Sequence, residues 1–121
     1  MVRRSYNAVI ERNVEWKGAF ETEPYEVGWA SEAIFFIRSL EGSGDGAQAR
    51  VQITPDGMHW CDEGTALSLP GRAGSLPGRA GSLPGKGGVT FCKVTNFGNW
   101  IRLVGETDRP VKVLVTLSLK E

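Results

Sequence analysis
Histidine occurs once in this 121-residue chain and cysteine twice, and the 14 acidic residues are matched by 14 basic ones. Each scarcity excludes something. A Ser-His-Asp or Cys-His apparatus would have to use His59, and no Gly-x-Ser-x-Gly elbow accompanies it. The plainer role for His59 is a rim residue beside a turn. Two cysteines are too few for a disulfide framework. A single Cys61–Cys92 bridge stays open, as does a zinc site built from His59, Cys61, Asp62 and Cys92. The alternative makes both cysteines small buried hydrophobes. A formal net charge of zero gives no electrostatic case for nucleic acid or an anionic membrane as partner. No apolar run approaches the roughly 18 residues of a membrane-spanning helix. The opening Met-Val-Arg-Arg-Ser-Tyr-Asn lacks the apolar stretch of a secretion signal. The expected setting is therefore the cytoplasm, or a particle assembled there.

What the chain does have is a β pattern. With 40% hydrophobic residues and four tryptophans it can build one core, so residues 1–121 are expected to form a single domain. Tyr6, Ala8, Ile10, Val14 and Trp16 alternate with Asn7, Glu11, Asn13 and Glu15, which predicts a long half-buried strand ended by Gly18. A short strand over Ala19 to Thr22 follows, and then Tyr25, Val27 and Trp29 alternate again. Ala33 to Leu40 is apolar on both faces around Ile34 and Phe36, as in a central strand. Arg50 to Asp62 reads as a hairpin: Val51 and Ile53 point inward, Pro55-Asp56-Gly57 turns the chain, and Trp60 returns over the core. Val89 to Thr95 and Trp100 to Val104 are further strands, with a turn expected over Glu106 to Pro110. The last strand sets Val111, Val113, Val115, Leu117 and Leu119 against Lys112, Thr116, Ser118 and Lys120; its lysines are of the kind that blunt a sheet edge.

Ser68 to Gly88 holds three copies of a seven-residue unit, Ser-Leu-Pro-Gly-Arg-Ala-Gly twice and then Ser-Leu-Pro-Gly-Lys-Gly-Gly. That period is too short for a solenoid, whose repeats run to about 20–50 residues. The stretch has no Gly-Lys-Ser/Thr ending and opens no helix, so it is not a phosphate loop. No cofactor is implied here or elsewhere. Two readings compete: a surface loop lengthened by copying, or an arm that reaches a neighbouring subunit. The expected fold is all-β: an antiparallel β-sandwich of seven to nine strands with this one long loop, arranged as a jelly roll ahead of an immunoglobulin-like order.

Val-Gln-Ile-Thr-Pro-Asp-Gly-Met-His-Trp, a loop, and Phe-Gly-Asn-Trp-Ile-Arg-Leu together resemble discoidin-type jelly rolls. They are also similar to small β-sandwich modules of phage particles and bacterial appendages. The resemblance spans Ala47 to Val104, and the flanking cysteines of the discoidin fold are absent. It implies a fold rather than a chemistry.

Two functions follow as expectations. The first is a non-enzymatic structural subunit that assembles with itself into a particle, ring or filament. Its interface candidates are Tyr6, Ile10, Val14, Trp16, Ile34 and Phe36, which together hold more apolar surface than so small a sandwich readily hides. The long N-terminal strand either pairs within its own subunit or crosses to a neighbour. The second is a carbohydrate-binding module with Tyr25, Trp29 and Trp60 on a ligand face. A calcium site would draw on Asp45, Asp56, Asp62 and Glu63, whose commoner role is as solvated turn acids.

Overall fold
The computed structural model describes residues 5–44, 46–71, 88–95 and 97–121. Asp45 and residues 72–87, the bulk of the heptapeptide repeats, lie outside them. Seven strands follow in order: β1 (Ser5–Glu21), β2 (Tyr25–Glu26), β3 (Glu32–Gly42), β4 (Gln48–Thr54), β5 (Cys61–Ser68), β6 (Val89–Thr95) and β7 (Trp100–Lys120). All pairings are antiparallel. Among the described residues there is no helix, and so none long and apolar enough to cross a membrane.

The expected all-β antiparallel sandwich is what forms, but its two layers share strands. β7 runs through both. Its first part, Trp100 to Glu106, pairs with β4, and its last part, Val111 to Lys120, pairs with β3. β1 follows β7 along both parts, from Ser5 opposite Lys120 to Glu21 opposite Val104. One layer is thus β6-β3-β7-β1 and the other β5-β4-β7-β1, with β2 beside the start of β7. The sheet is continuous and nearly closes on itself as a barrel.

The turn expected over Glu106 to Pro110 is instead a corner inside one 21-residue strand. Asp108, Arg109 and Pro110 have no strand partner, so the missing N–H of Pro110 costs no ladder bond. Thr107 Oγ1 donates to Arg109 O at 3.0 Å across the corner. Gly18, expected to end a strand, is likewise a left-handed bulge at φ 71° within β1, opposite the same corner. The final strand is not a sheet edge either. It is the most central strand, with β1 on one side and β3 on the other, and its lysines lie on the outer face.

The core lies between the layers. Val111, Val113, Val115, Leu117 and Leu119 are all buried, as their alternation predicts, and face Ile101, Leu103, Val51, Phe35 and Ile37. Trp16 stacks on Phe20 with ring centroids 4.0 Å apart. Gly105 lets β4 and Phe20 approach: a Cβ there would lie 2.4 Å from Gln48 O and 2.7 Å from Phe20 Cζ. Next to the repeats, Leu69 and Pro70 are buried, and Leu69 N–H donates to Ala47 O at 3.0 Å. Ser39 holds both ends of the long loop. Its hydroxyl donates to Gly71 O at 2.5 Å and its N–H to Gly88 O at 2.7 Å.

Candidate functional site
Two surfaces stand out, a cavity at one end of the sandwich and the outer face of one layer. The cavity forms where the two ends of β7 come together. Tyr6 sits opposite Leu119 near the strand's finish, and Tyr25 sits opposite Ile101 near its start. Folding β7 back at the corner brings these two phenols into hydrogen-bonding contact. Trp29, packed against the core in the loop after β2, and Trp100, opposite Glu26, complete an aromatic lining with Pro24 and Ser5. The cavity is open to solvent and has a volume of about 700 Å³. The hydrogen bond with Tyr6, then burial, then the charge of the neighbouring phenol hold the Tyr25 pKa above the usual phenol range. Tyr25 is accordingly a neutral phenol. No lysine or arginine lines the cavity among the described residues, and Glu26 supplies its one carboxylate.

The outer face of the β6-β3-β7-β1 layer carries an apolar row. Phe91, 64% exposed, is opposite Phe36, which is opposite Thr116, which is opposite Val9. The Phe91 and Phe36 rings lie 5.9 Å apart, tilted by 34°. Val89 is exposed on the same edge strand, and Ile34 and Leu114 are half-buried beside the row.

The six interface candidates therefore part company. Trp16 is 3% exposed and belongs to the core of its own chain. Ile10 and Val14 are partly buried against that core. Tyr6 is half-exposed at the cavity, while Ile34 and Phe36 lie on the outer face. Of the three ligand-face candidates, Tyr25 and Trp29 meet in the cavity and Trp60 does not. Trp60 lies on the outside of the other layer, where the Arg102 guanidinium stacks over its ring at 4.1 Å. Arg102 also donates to Gln52 Oε1 and to Glu21 Oε2, and Gln52 and Arg50 both donate to Asp62 Oδ1. That polar face is satisfied within itself. Sequence reasoning missed Trp100 and the cavity role of Tyr6, because only the fold of β7 makes neighbours of positions so far apart in the chain.

Most of the titratable residues singled out by type are engaged in local hydrogen bonds. His59 Nδ1 is 2.7 Å from Asp56 Oδ2 in the β4–β5 turn. Asp56 Oδ1 accepts from the His59 and Met58 N–H groups and from the Thr54 hydroxyl, at 2.8–2.9 Å. Backbone and then side-chain hydrogen bonds from His59, followed by those from Met58 and Thr54, hold the Asp56 carboxyl well below the usual carboxylate range. Cys61 and Cys92 are both free thiols, so the bridge between them does not form. Burial, and secondly the Glu63 charge, push the Cys92 thiol up to about 11 against a backbone hydrogen bond with Phe35. The zinc grouping does not assemble: among the described residues no cluster of three or more His, Cys, Asp or Glu side chains could hold a metal ion.

No family model and no curated protein matches the chain. Among solved structures, it is similar to the SPBc2 prophage-derived protein YomS. The two are 12% identical over 100% of this chain and 96% of that one, with a TM-score of 0.45. The likeness is a loose one between small β-rich folds and extends to no function. The discoidin-type resemblance gains no support from it.

Proposed function
We propose that the protein is a non-enzymatic structural module whose copies assemble through the outer face of β6 and β3. The exposure of Phe91 beside Phe36 carries this reading. A phenylalanine left mostly in water on an edge strand, beside Phe36 across the strand pair and Val89 along the strand, is an exposed apolar patch of the kind that marks interfaces. Zero net charge leaves little long-range repulsion between copies. Two of the side chains that chemistry would draw on are engaged otherwise: His59 belongs to a turn with Asp56, and the buried Cys92 thiol is protonated at neutral pH.

Light scattering with native mass spectrometry tests the proposal. The protein at micromolar concentration should have a mass above that of one chain, and Phe91→Lys should reduce it to one chain while circular dichroism stays that of a β protein. A strictly monomeric wild type, or a Phe91→Lys variant of unchanged mass, overturns the reading.

A further inference from the structure
We propose that the end cavity is a binding site for a neutral oligosaccharide, independent of the assembly face. Its volume of about 700 Å³ falls inside the range of roughly 300–1,000 Å³ typical of small-ligand sites. Tyr6, Tyr25, Trp29 and Trp100 provide four aromatic side chains in one lining. Rings of this kind offer apolar contact to the C–H face of a sugar. Phenol oxygens on Tyr6 and Tyr25, the Ser5 hydroxyl and the Glu26 carboxylate supply hydrogen-bonding groups around them.

Three features decide the class of ligand. A wholly apolar ligand would cover the phenols and Glu26 without satisfying them, which is costly. An anionic ligand would meet the like charge of the Glu26 carboxylate. A proline-rich peptide also suits aromatic grooves, but its prolines have no N–H to offer the Glu26 carboxylate, the one acceptor-only side chain among the described residues of the lining. Sugar hydroxyls donate as well as accept, and they lie at the edges of an apolar face. The site is also largely pre-formed: Tyr25 is fixed by its bond to Tyr6 and by β2 pairing, and Trp29 is packed on the core. Little ordering is left to oppose binding.

Titration of tryptophan fluorescence, with calorimetry, against cellohexaose, maltohexaose and chitohexaose tests this. At least one should bind saturably. Tyr6→Ala and Trp29→Ala should each weaken that binding about tenfold, in line with the loss of one aromatic contact. Trp60→Ala, which lies outside the cavity, should leave it unchanged. Because Tyr6 is half-exposed, its variant should keep the wild-type circular dichroism. Tyr6→Phe, which keeps the ring, provides a second variant and should bind more tightly than Tyr6→Ala. The proposal is overturned if none of the three sugars binds at millimolar concentration, or if binding survives both cavity substitutions. It is equally overturned if oligogalacturonate binds as tightly as the neutral sugars, or if a synthetic Ser-Leu-Pro-Gly-Arg-Ala-Gly-Ser-Leu-Pro-Gly peptide fills the cavity and the sugars do not.

Discussion
Single residues in this protein reveal their roles through what they accept or exclude. Asp56 accepts hydrogen bonds from its own turn, so its folded pKa lies below the unfolded value of about 3.9. A lowered carboxyl pKa stabilises the fold at pH values above the unfolded pKa, and that stabilisation fades as pH falls toward the folded pKa. Asp56→Ala should therefore melt below wild type at neutral pH, with the gap narrowing once pH drops under about 4. A gap that is constant from neutral to acid pH would show that the carboxylate charge plays no part. The cysteines give a second residue-scale test. Exposed Cys61 should react with a thiol reagent in the native protein, whereas Cys92 should react only after unfolding. Gly105→Ala should cost about 1–3 kcal/mol of unfolding free energy in denaturant titration, because the new methyl group meets the β4 backbone as well as the buried Phe20 ring. At this scale the sequence was informative about inward positions. The alternation of Val111 to Leu119 is the alternation of burial, whereas the run from Ala33 to Ile37, apolar on both faces, did not tell that Ala33, Phe35 and Ile37 are the inward ones. It was silent on Gly105, since a glycine that admits a neighbouring strand looks like any other until that strand is placed.

Among the elements, the punctuation of the chain misled where it marked a corner. Pro110 and Gly18 carry the chemistry of turns, and a corner in a continuous strand uses the same chemistry. Each supplies a backbone group that needs no partner, or a positive φ, where the ladder is interrupted. Periodicity on either side of such a residue cannot say whether the chain reverses or merely bends. The β4–β5 hairpin, by contrast, was legible as far as its turn, since Pro55-Asp56-Gly57 follows the Val51 and Ile53 run; its second strand is Cys61–Ser68 rather than the stretch carrying Trp60, which does not return over the core. The long loop gives this scale its prediction. Its ends are closed by Ser39, which is buried and binds both Gly71 and Gly88. Ser39→Ala removes the bond to Gly71 O and should cost about 1 kcal/mol. Deleting one heptapeptide, Ser75 to Gly81, leaves both anchors in place and should shift stability by only about 0.5 kcal/mol through closure entropy. Denaturant melts that reverse this order would mean that the repeats themselves hold the fold.

For the molecule as a whole, the question left by the sequence is whether the N-terminal strand serves its own subunit or a neighbour. The pairing favours its own. β1 accompanies β7 through both layers, and past its last pair Thr22 N–H donates to Leu103 O at 2.9 Å. Thr22 Oγ1 in turn accepts from Leu103 N–H at 3.0 Å. It also delivers Trp16 and Phe20 to the core as a stacked pair. The other edge of β1 is poorly suited to receive a strand. Its register shifts three times, and Asn13 adopts a left-handed φ of 56° among exposed charged residues. Bulges and charges of this kind are what keep sheet edges from pairing. Removing residues 1–17 would strip β7 of a partner along its last ten residues and take Trp16 out of the core. Loss of a buried tryptophan alone costs about 3–5 kcal/mol, which is a large share of the roughly 5–15 kcal/mol that holds a domain folded. The truncated chain should therefore be unfolded by circular dichroism. A folded, monomeric truncation would instead place β1 in the contact between subunits, and the assembly face would have to be sought there rather than at Phe91.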